Sequence, residues 1–178
     1  MLPWNGKNIY FIGFMASGKS SVGKSFAQFL GWPFYDTDDL IEKKAGKSIS
    51  DIFAHDGEDV FRQLETSVIK DLSELKNCVV SLGGGAVIRD ENWRYLKRSG
   101  VTITLTAPVE ILAERIGRNN VRPLMAQLSI EERERKIEEM LTVRQPYYDR
   151  ADFHFESSEE RTVPEFIHHI FETLLEKL

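Results

Sequence analysis

The chain has 178 residues, of which 42% are hydrophobic and 29% charged, and a formal net charge of −5. That length and balance predict one soluble globular domain with a full core. The acidic balance, without a long Lys/Arg run, argues against nucleic acid as a partner, and the single cysteine excludes an internal disulfide and favours an intracellular setting. Met1 to Lys7 is too short and polar for a signal peptide, and no stretch approaches the ~20 apolar residues of a membrane span. The expectation is a cytoplasmic protein, off the membrane.

Ile9 to Ile12 is a short apolar run of the kind buried in a parallel sheet. Gly13-Phe14-Met15-Ala16-Ser17-Gly18-Lys19-Ser20 follows, with the spacing G-x-x-x-x-G-K-[ST]. Val22, Phe26, Phe29 and Leu30 then share a helical face, and Gly31 suits the stop. Strand, glycine loop and helix together form a phosphate cradle. Backbone N–H groups and the helix N-terminus offer partial positive charge to an anion. Lys19 supplies a point charge to the β- and γ-phosphates, and the Ser20 hydroxyl is a candidate Mg²⁺ ligand.

Phe34-Tyr35 predicts a second strand ending in Asp36-Thr37-Asp38-Asp39. Leu40 and Ile41 open a short helix stopping near Gly46, and Ser50 can cap a further helical turn. Beyond Gly57, Phe61, Leu64, Val68 and Leu72 mark one face of a longer helix. Val79 to Leu82 reads as a third strand, opened by a buried Cys78 and followed at once by Gly83-Gly84-Gly85. Trp93 and Leu96 mark a short helix and 101–105 a β-branched strand. Val109, Leu112, Ala113 and Ile116 form the next helical face. Residues 118–128 show no period and read as a mobile loop. Ser129 with Glu132 predicts a capping box for a helix running to about Arg144. Phe153 to Glu156 is the last strand. Thr162 with Glu165 caps a final helix whose inner face carries Phe166, Ile170, Phe171, Leu174 and Leu178. Strands alternating with helices predict a parallel sheet covered on both faces. Ligands of such sheets sit at the strands' carboxyl ends, so the glycine loop, 36–39 and 83–85 should share one cleft.

Phosphoryl transfer needs positioning, charge neutralisation and sometimes a base for the attacking hydroxyl. One of Asp36 and Asp38 can hold Mg²⁺ through water while the other accepts a hydrogen bond, and later a proton, from a substrate hydroxyl. Helix capping by Asp38 or Asp39 is the structural alternative. Arg62 is either half of a surface ion pair with Glu65 or a ligand. Arg144 is either a cation at a helix C-terminus or a ligand. Together the two arginines can grip a carboxylate.

The chain resembles the shikimate kinases over nearly its whole length. The matching motifs are the Gly13–Ser20 loop, Phe34-Tyr35-Asp36-Thr37-Asp38, Asp56-Gly57-Glu58 with Phe61-Arg62, Ser81 to Ala86, Val121-Arg122-Pro123-Leu124, and Arg144 ahead of Pro146 and Tyr148. The resemblance implies the P-loop kinase fold, three α/β/α layers around a five-stranded parallel sheet, with 118–128 as a lid. It implies ATP- and Mg²⁺-dependent phosphorylation of the 3-hydroxyl of shikimate by a monomer. By the same resemblance Lys19, Asp38 and Arg122 are catalytic, and Asp38, Arg62, Gly84 and Arg144 bind shikimate. ATP falls to Ala16, Ser17, Gly18, Lys19, Ser20, Ser21, Arg115, Arg122 and Arg161, and the metal to Ser20 and Asp36. Two departures stand out. The family often has Gly-Ala where this chain has Ala16-Ser17, which costs little if that alanine keeps a negative φ. Glu156-Ser157-Ser158 replaces a common Asp-Thr near the adenine. His168 and His169 match no motif and read as solvated helix residues. A small kinase of gluconate or nucleoside monophosphates, and a non-catalytic binding protein, are the competing readings.

Overall fold

The structure is a computed structural model that describes residues 2–118, 125, 127–157 and 161–178. Arg122, and most of the 118–128 segment expected to form a lid, lie outside the described residues. Five strands, β1 (Asn8–Ile12), β2 (Phe34–Asp36), β3 (Val79–Ser81), β4 (Gly100–Thr106) and β5 (Phe153–Glu156), form one sheet in the order β2-β3-β1-β4-β5. Every pairing is parallel. The helices among the described residues are α1 (Lys19–Leu30), α2 (Thr37–Ala45), α3 (Ile49–His55), α4 (Glu58–Ser73), α5 (Asp90–Ser99), α6 (Val109–Arg118), α7 (Ile130–Tyr148) and α8 (Val163–Lys177).

All of β1 is buried because helices cover both faces of the sheet. Alternation sends Ile9 and Phe11 into one apolar cluster, with Val22, Phe26, Phe166 and Ile170 of α1 and α8. Tyr10 and Ile12 enter the other, with Phe61, Ile69, Leu96, Leu112 and Ile137 of α4 to α7. Cys78 is fully buried, and burial pushes its thiol up to about 11. None of the described helices is long and apolar enough to cross a membrane.

Three local expectations change. The cap of α3 is Ser48, whose side chain accepts from the Asp51 N–H, rather than Ser50. Leu178 is 47% exposed beyond α8 instead of lining its inner face. Helix α7 runs through Pro146 to Tyr148, so Arg144 is a turn inside it and not at its end. Proline at that site removes only the bond to the carbonyl of Thr142, a solvent-exposed residue. Both halves of the Ser129–Glu132 capping box are present, with bonds of 3.2 and 2.9 Å.

Candidate active site

The strand order sets the site. β2, β3 and β1 are neighbours, so 36–39, 83–85 and 13–20 emerge side by side at their carboxyl ends. The loop after β1 turns sharply at Gly13, which has φ +136; a Cβ there would lie 2.2 Å from the Leu105 carbonyl oxygen. Gly18 caps α1 at φ +96. Lys19 is 8% exposed and its ammonium donates to the Phe14 carbonyl at 2.7 Å, which keeps the charge inside the loop. Ala16 has φ +61, so the alanine substituted for the family's glycine occupies the left-handed region. The condition of a negative φ, under which alanine would cost little, is not met there.

Asp36 has two jobs. Its Oδ1 accepts the Asp38 N–H at 3.0 Å and caps α2, so the capping residue is neither Asp38 nor Asp39. Its Oδ2 accepts the Ser20 hydroxyl at 2.6 Å, and Ser81 Oγ is 3.2 Å from Ser20 Oγ. This donor set suits a hard divalent cation. The proton of Ser20 is directed onto Asp36, so the hydroxyl lone pairs and the neighbouring carboxylate would be available to such a cation.

Gly83, Gly84 and Gly85 each lie against charged side chains, Gly83 against both Asp38 and Glu65. A Cβ on Gly83 would lie 2.8 Å from Asp38 Oδ1, one on Gly84 3.5 Å from Arg144 Nη1, and one on Gly85 2.6 Å from Arg62 Nη2. Side-chain-free backbone thus allows a carboxylate and two guanidinium groups to converge on one cleft, which Met15, Phe53 and Phe61 also line. The run is itself anchored: Gly83 N–H donates to Thr37 Oγ1 at 3.0 Å and Tyr148 donates to the Gly84 carbonyl at 2.7 Å. Arg144 also lies 5.7 Å from the centroid of the Phe14 ring.

Sequence reasoning placed the Arg62–Glu65 pair on the surface as the alternative to a ligand role. The pair is not on the surface: Glu65 is 1% exposed, and Arg62 Nη1 donates to its Oε2 at 2.8 Å. Burial raises the Glu65 carboxyl above its ordinary pKa, Arg62 opposes that rise, and nearby Asp38 adds to it. Its Oε1 has no hydrogen-bond partner among the described residues. Glu65, Thr37 and Tyr148 make contacts in the cleft that periodicity could not reveal, although Thr37 and Tyr148 stood within family motifs.

A second pocket of about 510 Å³ opens beside the glycine loop. Ala16, Gly18, Lys19, Ser20, Ser21, Arg115 and Arg161 line it as expected, joined by Val22, Ser157, Val163 and Phe166. Ser17 does not line it, being fully buried beneath the loop. Arg115 Nη1 donates to the Ala16 carbonyl at 3.3 Å and to Ser157 Oγ at 3.1 Å. Ser157, in the stretch that departs from the common Asp-Thr, therefore sits at the pocket wall. His168 and His169 are exposed on α8, away from both clefts.

The profile of the family described as Shikimate kinase matches residues 15–175. The chain belongs to the shikimate kinase family. The shikimate kinase of Thermodesulfovibrio yellowstonii is 46% identical over 147 residues, 83% of each chain. The crystal structure of the shikimate kinase of Bacteroides thetaiotaomicron superposes with a TM-score of 0.89 at 31% identity, covering 94% of this chain and 98% of that one. The shikimate kinase of Acinetobacter baumannii, solved in complex with shikimate, gives a TM-score of 0.88 at 36% identity, covering 97% and 95%. The chain thus shares the fold of the shikimate kinases, and its two clefts meet at the loop that holds Lys19.

Proposed function

We propose that the chain transfers the γ-phosphoryl group of ATP to the 3-hydroxyl of shikimate, a step of chorismate and aromatic amino acid biosynthesis. The observation that carries this reading is the convergence of Asp38, Arg62 and Arg144 on Gly83–Gly85, beside the phosphate loop. Two guanidinium groups fit the acceptor's carboxylate. Asp38 orients the attacking hydroxyl and takes its proton. Lys19 moves from the Phe14 carbonyl to the phosphates and follows the negative charge as it shifts toward the leaving group. Arg115 and Arg161, with Val163 and Phe166, form the wall for the rest of the nucleotide. Ser20 and Asp36 are the residues that would hold Mg²⁺, which neutralises phosphate charge when bound. Arg122 is proposed as a further phosphate contact on the family resemblance. The same resemblance supports a single-domain monomer acting in the cytoplasm.

The test is a coupled ADP-release assay with ATP and Mg²⁺, offering shikimate, gluconate and nucleoside monophosphates in parallel. Turnover with shikimate alone is expected. Turnover with gluconate or a nucleotide and none with shikimate would overturn the assignment, and binding without turnover of any acceptor would favour a non-catalytic role.

A further inference from the structure

Arg133 is outside both clefts, and no step above uses it, yet it is 8% exposed. A buried guanidinium is costly unless its N–H groups find acceptors. Here Nη1 donates to the Ala113 carbonyl at 2.8 Å, Nε to that of Met125 at 3.0 Å and Nη2 to that of Leu128 at 2.9 Å. These acceptors belong to α6 and to the stretch that precedes α7. The stability of α7 does not explain the residue, because its first turn is the wrong end of a helix for a cation. The surface of α6 is also cut away for it: a Cβ on Gly117 would lie 2.4 Å from Arg133 Nη1.

Ala113 and Arg115 are two residues apart on α6, roughly 200° around the helix, so they face opposite ways. One side of α6 is tied to Arg133. The other presents Arg115 to the Ala16 carbonyl and Ser157 at the loop pocket. We propose that Arg133 is a positioning residue for nucleotide binding, its fork of bonds fixing the rotation and axial place of α6 and hence where Arg115 stands. This rests on the reading of that pocket as the nucleotide site.

The experiment is calorimetric titration with ADP and, separately, with shikimate, so that nucleotide affinity is read without turnover. Arg133→Met should weaken ADP about tenfold, since displacements near 1 Å have costs of this order or larger. Shikimate affinity should stay within about twofold of wild type, because the ties to α6 do not reach the acceptor cleft. Arg133→Lys should recover only part of the loss, as a point donor cannot span three carbonyls. In an Arg115→Met background, adding Arg133→Met should weaken ADP by less than about threefold, because the path runs through Arg115. Equal losses for ADP and shikimate, additive losses in the double variant, or no loss in a folded Arg133→Met protein would each overturn the role. Should Arg133→Met fail to fold, Gly117→Ala pushes on the same guanidinium without removing a buried cation. It should show the same selective loss of ADP affinity, and an unchanged ADP affinity there would also overturn the role. Wild-type protein that binds shikimate but no ADP removes the nucleotide reading itself, a result distinct from any pattern among the variants.

Discussion

The two residues that set this glycine loop apart from its family each carry a visible defect, so reversing them should stabilise the protein. Ala16 sits at φ +61. A left-handed conformation costs a non-glycine residue ~1–2 kcal/mol, and glycine gives back ~0.5–1 kcal/mol through its freer unfolded chain. Ala16→Gly should therefore gain ~0.5–1 kcal/mol. Ser17 Oγ is buried and has no hydrogen-bond partner among the described residues. Leaving a buried hydroxyl unsatisfied costs ~1–3 kcal/mol, so Ser17→Ala, which removes only that oxygen, should gain ~1 kcal/mol. The pair is adjacent and its effects can couple by about 0.5 kcal/mol, giving ~1–2 kcal/mol together. For a chain of this size that is a rise in Tm of roughly 2–8 °C. Calorimetry of the nucleotide-free protein, with urea titration to confirm an unchanged m value, measures it. A lower Tm for Ser17→Ala would mean that the hydroxyl makes a bond in solution. A lower Tm for Ala16→Gly would mean that the φ carries no strain.

Lys19→Ala should lower kcat by about two orders of magnitude or more with the fold intact, read by ADP release, because a contact to charge moving in the transition state is lost. Asp38→Asn should depress kcat far more than ADP affinity, and a larger effect on ADP binding would move Asp38 out of the acceptor site. Arg144→Ala should raise the shikimate KM while leaving an analogue without the carboxylate unaffected. Arg62→Ala should do the same but also cost ~3–5 kcal/mol of stability, because it strands the buried Glu65 carboxylate. Burial raises the Asp152 carboxyl, but hydrogen bonds from Lys97 and Thr102 outweigh it and hold its pKa below the ordinary value. Its contribution is present above about pH 4 and fades as pH falls through the lowered pKa. The Tm gap between wild type and Asp152→Asn should therefore narrow from pH 7 toward pH 2, and a constant gap would remove the linkage.

The glycine loop was legible in the sequence because its chemistry is backbone chemistry at fixed spacing, which needs no distant partner. The sheet was legible too: apolar runs alternating with helical faces leave few topologies, and parallel strands place their carboxyl ends together. Capping boxes at Ser129 and Thr162 were local enough to read three residues apart. What depended on distant partners was not legible. Asp36 became the cap of α2 and the acceptor for Ser20 only once α1 and β2 were side by side. Glu65 looked like the solvated end of an i,i+3 pair, and only packing beside Asp38 and Gly83 turned it into a buried carboxylate. Arg133 gave no signal at all, since the carbonyls of Ala113, Met125 and Leu128 that accept from it are brought to it by tertiary folding and carry no side-chain code. Sequence by itself determined the strand, glycine loop and helix that open the chain and the order of the elements after them. The tertiary structure decided which charges lost their water, because burial depends on neighbours that arrive from elsewhere in the chain.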